Sequence, residues 1–208
     1  MVEISKKYRI GVKEFGLVNW IGSTTLYKKE VQRFLVVWIQ TLLSPIVSSL
    51  LFLLVLSLAI GNTRSNMLGV PFISFLAPGL IAMQIIGGSF SHSSSTFMMG
   101  KVQGNIVDIL YAPLSAAEVT LAINLAATTR SFMIVIISIF IFYFLIDIEI
   151  KNYYSLIFYV FISSFILGSV GIIAGLWAEK FDNLASITNF LIVPLSFLSG
   201  TFYTIDKL

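Results

Sequence analysis

The sequence predicts an all-α membrane protein built as a polytopic helical bundle, and three observations carry that prediction. Apolar residues make up 57% of the chain and charged residues only 11%, against about 45–50% and about 25% in soluble globular chains. Mean hydropathy is +0.95. The apolar residues gather into five long runs with few or no charges, each meeting the roughly 20 residues that a membrane helix needs. Lipid offers no partner for free backbone groups, so each run must be helical.

The reading divides the chain into a cytoplasmic N-terminus, residues 1–33, and a transmembrane domain, residues 34–208. Seven basic residues (Lys6, Lys7, Arg9, Lys13, Lys28, Lys29 and Arg33) precede the first apolar run. A sequence pI of about 9.1 is often a cue for nucleic acid. Here the basic residues sit beside a span, where they read as a topology signal, and no nucleic-acid partner is expected. Within Thr25 to Trp38, Tyr27, Val31, Phe34, Leu35 and Trp38 fall on one side at helical spacing. Lys28, Lys29, Gln32 and Arg33 fall on the other. The pattern reads as a helix lying at the membrane interface, with Lys28, Lys29 and Arg33 toward the headgroups. The plainer alternative is ordinary basic flanking sequence. No signal peptide is visible.

The spans are expected at 34–60, 67–97, 119–146, 152–178 and 183–205. Lys101 and Lys180 fall between spans on the same side as the N-terminus, and Arg64, Lys151 and Lys207 on the other, so the bias places the N-terminus inside. Pro45 and Pro78 are expected to kink the first two spans. Span two carries Gly87-Gly88 followed by Ser89, Ser91, His92, Ser93, Ser94, Ser95 and Thr96. These hydroxyls either bond carbonyls one turn back, bending the helix, or line a watery path. Ser91, His92, Ser95 and Arg130 are therefore the candidate pathway residues. Arg130 is expected to snorkel from the start of span three toward the interface. The end of span five, with Pro194, Gly200, Thr201, Thr204 and Asp206, reads as a helix that stops early and re-enters.

The loop after span two is the most informative stretch. Val102, Ile106, Ile109, Leu110 and Pro113 share one helical face, and Lys101, Gly104, Asn105, Asp108, Tyr111 and Ala112 the opposite one. This predicts a short amphipathic helix over residues 101–113. Pro113 ends it. Ser115-Ala116-Ala117-Glu118 is then a capping box that starts the next helix at about Ala116. The result is a stiff elbow able to transmit force.

Several chemistries lack their residues. There are no cysteines and one histidine, so disulfides and thiolate or multi-histidine metal sites are excluded. No G-x-x-x-x-G-K-[ST] loop is present for ATP. No acidic pair lies inside the spans for ion coupling. A Ser/His dyad would need Ser89 or Ser95 beside His92 on the same helix, which is poor support for membrane proteolysis. No catalytic, cofactor-binding or metal-binding residue is expected.

The order of these features resembles the ABC-2 type permease family, the membrane-spanning subunits of bacterial ABC exporters, in its multidrug, lipid or polysaccharide export branch. The stretches that carry the likeness are Leu76-Ala77-Pro78-Gly79-Leu80, Asn105 to Pro113, and Phe197-Leu198-Ser199-Gly200-Thr201-Phe202-Tyr203. The resemblance implies a bundle with five of an expected six spans present, and hence a fragment. It implies a coupling helix in which Lys101, Asn105, Asp108, Ile109, Tyr111, Ala112 and Pro113 engage a separate ATP-binding cassette subunit. Asn105, Asp108, Tyr111 and Ala112 would face that partner. Mg-ATP would be bound there and none in this chain. It further implies a second permease copy in a homodimer, with the path between copies lined by parts of spans one, two and five, in a multi-pass protein of the bacterial inner membrane. The competing functions are an ATP-independent channel or carrier and a membrane scaffold without transport.

Overall fold

A computed structural model describes residues 18–60, 66–67, 70–146 and 152–198. The first helix, α1 (Trp20–Val36), starts where the Asn19 side chain accepts a hydrogen bond from the Gly22 amide, which satisfies one of the free donors of the first turn. It buries Leu26, Glu30 and Phe34. The helix breaks at Val37 (φ −110°, ψ 38°). A π-helical turn, Ile39–Leu43, leads into α2 (Ser44–Ile60). Pro45 lies in the first turn of α2, where a missing amide is tolerated. The first apolar run therefore holds the end of α1, a bend and α2, and the stretch suited to crossing a membrane is Ile39–Ala59. Leu51, Leu54, Val55 and Leu58 of α2 point out of the protomer.

Two short antiparallel strands, β1 (Asn66–Met67) and β2 (Val70–Pro71), pair Asn66 with Pro71 and Met67 with Val70. The chain then enters α3 (Phe72–Gln103), with Pro78 inside it. After a short α4 (Ile106–Leu110) come α5 (Ala116–Ile146) and α6 (Tyr153–Trp177). The fifth apolar segment is Phe181–Leu198, made of α7 (Phe181–Ile187), a π turn (Thr188–Ile192) and α8 (Val193–Leu198). The expected re-entry around Gly200 to Asp206 lies outside the described residues, as do Lys6, Lys7, Arg9, Lys13, Arg64, Lys151 and Lys207.

At 1.5 Å per residue, α3 and α5 are each nearly 50 Å long, against about 30 Å of hydrocarbon. Both are longer than the hydrocarbon is thick, and the connection between them lies where α3 ends and α5 begins. The core is layered along these helices. Toward the far end, Ala77, Leu80, Ile81 and Ile85 of α3 pack with Val135 and Phe142 of α5 and Val160 of α6. Nearer the connection, Phe97, Ile123 and Ile172 form a second cluster, with Ile106 of α4 against it.

The closest approach is between α3 and α6. Gly168, Gly171 and Gly175 recur on one face of α6. A Cβ on Gly171 would stand 2.5 Å from the Phe90 carbonyl oxygen, and one on Gly175 would stand 2.6 Å from that of Ser94. One on Gly168 would run into the Asn124 side-chain oxygen. Without side chains there, the two backbones touch, as small residues permit in membrane helices.

Candidate functional site

The connection between α3 and α5 is an elbow, but not the single helix 101–113 that the periodicity suggests. Lys101 to Gln103 complete α3, which then stops at Gly104 (φ 77°). That left-handed conformation suits glycine and closes helices. Only Ile106–Leu110 forms a new helical turn. The inner face also differs from the expected one. Ile106 and Ile109 turn partly inward, whereas Leu110 is 71% and Tyr111 85% exposed. Val102, Asn105, Asp108 and Pro113 are exposed too, and Ala112 is half-buried. The helical period fails because the glycine resets the chain direction three residues into the stretch.

What fixes the elbow is polar. Ser115 and Glu118 form the capping box: the Glu118 amide donates to Ser115 Oγ (3.3 Å) and the Ser115 amide to Glu118 Oε2 (2.6 Å). The other Glu118 oxygen accepts from the Asn19 amide at the start of α1. Asn19 Nδ2 donates to the Pro113 carbonyl at 2.9 Å. The elbow is thus tied to Asn19, the residue that caps α1. Between them runs a cleft of about 370 Å³, lined by Gly22, Thr25 and Lys29 on one side and Asp108, Ile109 and Ala112 on the other. Lys101, expected on the partner-facing side, is turned elsewhere. Its ammonium donates to the carbonyls of Gly175 (3.0 Å), Leu176 and Ala178 (2.8 Å). A cation at a helix C-terminus opposes the dipole and satisfies free carbonyls.

A second constellation lies between α1 and α3. Arg33 does not join Lys28 and Lys29 on the exposed face. Its Nε donates to Glu30 Oε2 at 2.9 Å, and its terminal nitrogens donate to Ser95 Oγ (3.2 Å), the His92 carbonyl (3.1 Å) and Thr96 Oγ1 (2.6 Å). Thr96 in turn donates to Glu30 Oε2 at 2.8 Å. Glu30 is 1% exposed, so the carboxylate is held by an ion pair and a hydroxyl together, as a buried charge requires. His92 is buried edge-on against Phe34, with Nε2 3.8 Å from the same carboxylate oxygen. Ser95 Oγ bonds the His92 carbonyl and Ser89 bonds Ser131, so neither serine forms a dyad with the imidazole. Of the candidate pathway residues, Ser95 and His92 fall in this cluster, whereas Ser91 faces outward.

Arg130 also departs from expectation. It does not snorkel: the residue is 9% exposed and its guanidinium donates to the carbonyls of Thr41 (3.0 Å) and Gly88 (3.4 Å). The shape of the bundle decides this, because α5 carries Arg130 against α3 and the π turn ahead of α2, not toward solvent.

Residues 23–208, most of the chain, match the family described as ABC-2 type transporter. The chain belongs to the ABC-2 type transporter family. Among curated proteins the permease is similar to the protein named inner membrane transport permease YadH from Escherichia coli K12. The two are 25% identical over 189 residues, which cover 91% of this chain and 74% of the relative. Proteins of the same name from Escherichia coli O157:H7 and Shigella flexneri match equally. No solved structure matches.

As a transport permease it is not an enzyme, and in this family ATP hydrolysis belongs to a partner subunit. Among the described residues five helices are long and apolar enough to cross a membrane, which makes the permease a polytopic helical membrane protein. Sequence reasoning missed Glu30 and Asn19. Glu30 was signalled by its three-residue spacing from Arg33, and Asn19 by its place ahead of a helix start.

Proposed function

We propose that this chain is the membrane-spanning permease subunit of an ATP-binding cassette exporter. It moves an amphipathic substrate (a drug, a lipid or a lipid-linked polysaccharide) across the bacterial inner membrane, using ATP hydrolysed by a separate subunit. The permease itself makes and breaks no bonds. Its N-terminus lies in the cytoplasm, and two copies enclose the path between them.

The observation that carries this reading is the elbow. Its outer lip exposes Asn105, Asp108, Leu110 and Tyr111 where α3 ends and α5 begins, while its base is bonded to α1 through Asn19 and to α6 through Lys101. A lip that is bare on one side and bolted on the other suits a lever gripped by a partner. Membership in a family whose members work with an ATP-binding subunit supports the assignment, as does the inner-membrane permease name of the relative. ATP must favour one permease conformation by differential interaction, and the elbow is the part that a cytoplasmic partner reaches.

The test is co-purification of the permease with a cognate ATP-binding cassette ATPase. Asp108→Lys should abolish association, and changing Asn105, Asp108 and Tyr111 together should remove any effect of the permease on ATP turnover in vesicles. Unaltered turnover with the triple variant would sink the coupling assignment.

A further inference from the structure

The bend between α1 and α2 is held from outside by α5. In an α-helix the amide of residue 45 would donate to the carbonyl of Thr41, and Pro45 has no amide to give. Val37 leaves helical geometry just before it, and both the Gln40 and Thr41 amides turn back to the Val37 carbonyl. The Thr41 hydroxyl bridges to the Phe34 carbonyl at 2.8 Å, across the break. Into this interrupted ladder α5 inserts Arg130, which donates to the Thr41 carbonyl at 3.0 Å and to the Gly88 carbonyl of α3 at 3.4 Å. Two turns further along α5, Ser138 Oγ bonds Gln84 Oε1, and Gln84 Nε2 reaches the Pro45 carbonyl at 3.2 Å. The carbonyls at both ends of the bend are therefore bonded to groups anchored by α5.

We propose that Arg130 is a positioning residue that fixes the angle between α1 and α2, by supplying to the Thr41 carbonyl the donor that Pro45 lacks. An arginine suits the task because its planar fork serves two carbonyls at once. A charge inside a membrane bundle is costly, and charged residues within spans commonly mark functional positions. The neighbouring Thr129 hydroxyl meets Tyr27 of α1 at 2.8 Å, so one turn of α5 grips both the interface helix and the bend that follows it. Any motion of α5 then re-aims α2, whichever partner drives it. The proposal is therefore independent of how the elbow is engaged.

The chain has no native cysteine, so Thr24→Cys and Leu58→Cys, exposed sites on α1 and α2, accept two spin labels on the full chain in lipid nanodiscs. The parent should give one narrow label-to-label distance. Arg130→Met should lose that narrow distribution while helical content is kept. Adding Pro45→Ala to Arg130→Met should restore a narrow distance, since the new amide serves the Thr41 carbonyl. A general packing role for Arg130 would not be rescued at that position. If Arg130→Met does not fold, Arg130→Lys decides: an ammonium lacks the planar fork that serves the Thr41 and Gly88 carbonyls together, and the distance distribution should broaden. An unchanged distribution in the folded Arg130→Met variant, failure of Pro45→Ala to rescue it, or an unchanged distribution with Arg130→Lys overturns the proposal.

Discussion

Glu30 and Arg33 are three residues apart, and their pairing inverts the role that the sequence suggests for Arg33. Lys28, Lys29 and Arg33 read as one basic face because their charges agree in sign. The helical period says otherwise: Arg33 follows Leu26 by seven residues and Glu30 by three, which puts it beside the buried face. Removing one member of a buried pair is far worse than removing both, since it strands a charge. Arg33→Met should therefore lower the unfolding free energy by about 3 kcal/mol. Glu30→Gln combined with Arg33→Met should lose less than Arg33→Met alone, as read by thermal unfolding in detergent. If the two losses simply add, the carboxylate does not depend on the guanidinium. At the elbow, Glu118→Gln keeps the shape of the side chain but weakens acceptance from two backbone amides. A lower melting temperature is expected, as for a lost helix cap. Asn19→Ala should weaken the same junction and remove the N-cap of α1.

Helices as units were legible where the signal was long. The apolar runs mark every spanning element, and Pro113 with the capping box marks the start of α5 within a residue. Other features were hidden for physical reasons. The elbow helix was read as continuous because Gly104 fits a helical face on paper, whereas its left-handed conformation ends α3. Arg130 and Lys101 were placed by charge alone, since their acceptors are backbone carbonyls, which sequence does not display. The glycine row of α6 was readable as a small-residue repeat, but its partner helix was not. Gly171→Ala and Gly175→Ala put a methyl group against backbone that cannot rotate away. Each should cost about 1–3 kcal/mol through overpacking, seen as a lower melting temperature. A neutral Gly171→Ala would mean that α3 and α6 stand further apart. Gly87→Ala is the control, because a Cβ there meets nothing within 4 Å.

Across the whole molecule, the arrangement separates a wet end from an apolar body. The elbow lip carries Asp108 and Tyr111, while the outward surface of α2 carries Leu51, Leu54, Val55 and Leu58. With no native cysteine to mask, Tyr111→Cys should react with a membrane-impermeant maleimide only from the cytoplasmic side, and Leu58→Cys from neither side. Labelling of Tyr111→Cys on intact cells would reverse the orientation on which the exporter reading depends.

The glycine row has a mechanical corollary. Two rods whose spines touch at two successive points, Gly171 on Phe90 and Gly175 on Ser94, cannot slide or roll past one another without collision, so α3 and α6 form one stiff beam. Rearrangement during a working cycle must then be absorbed where the beam ends or where thinner joinery begins.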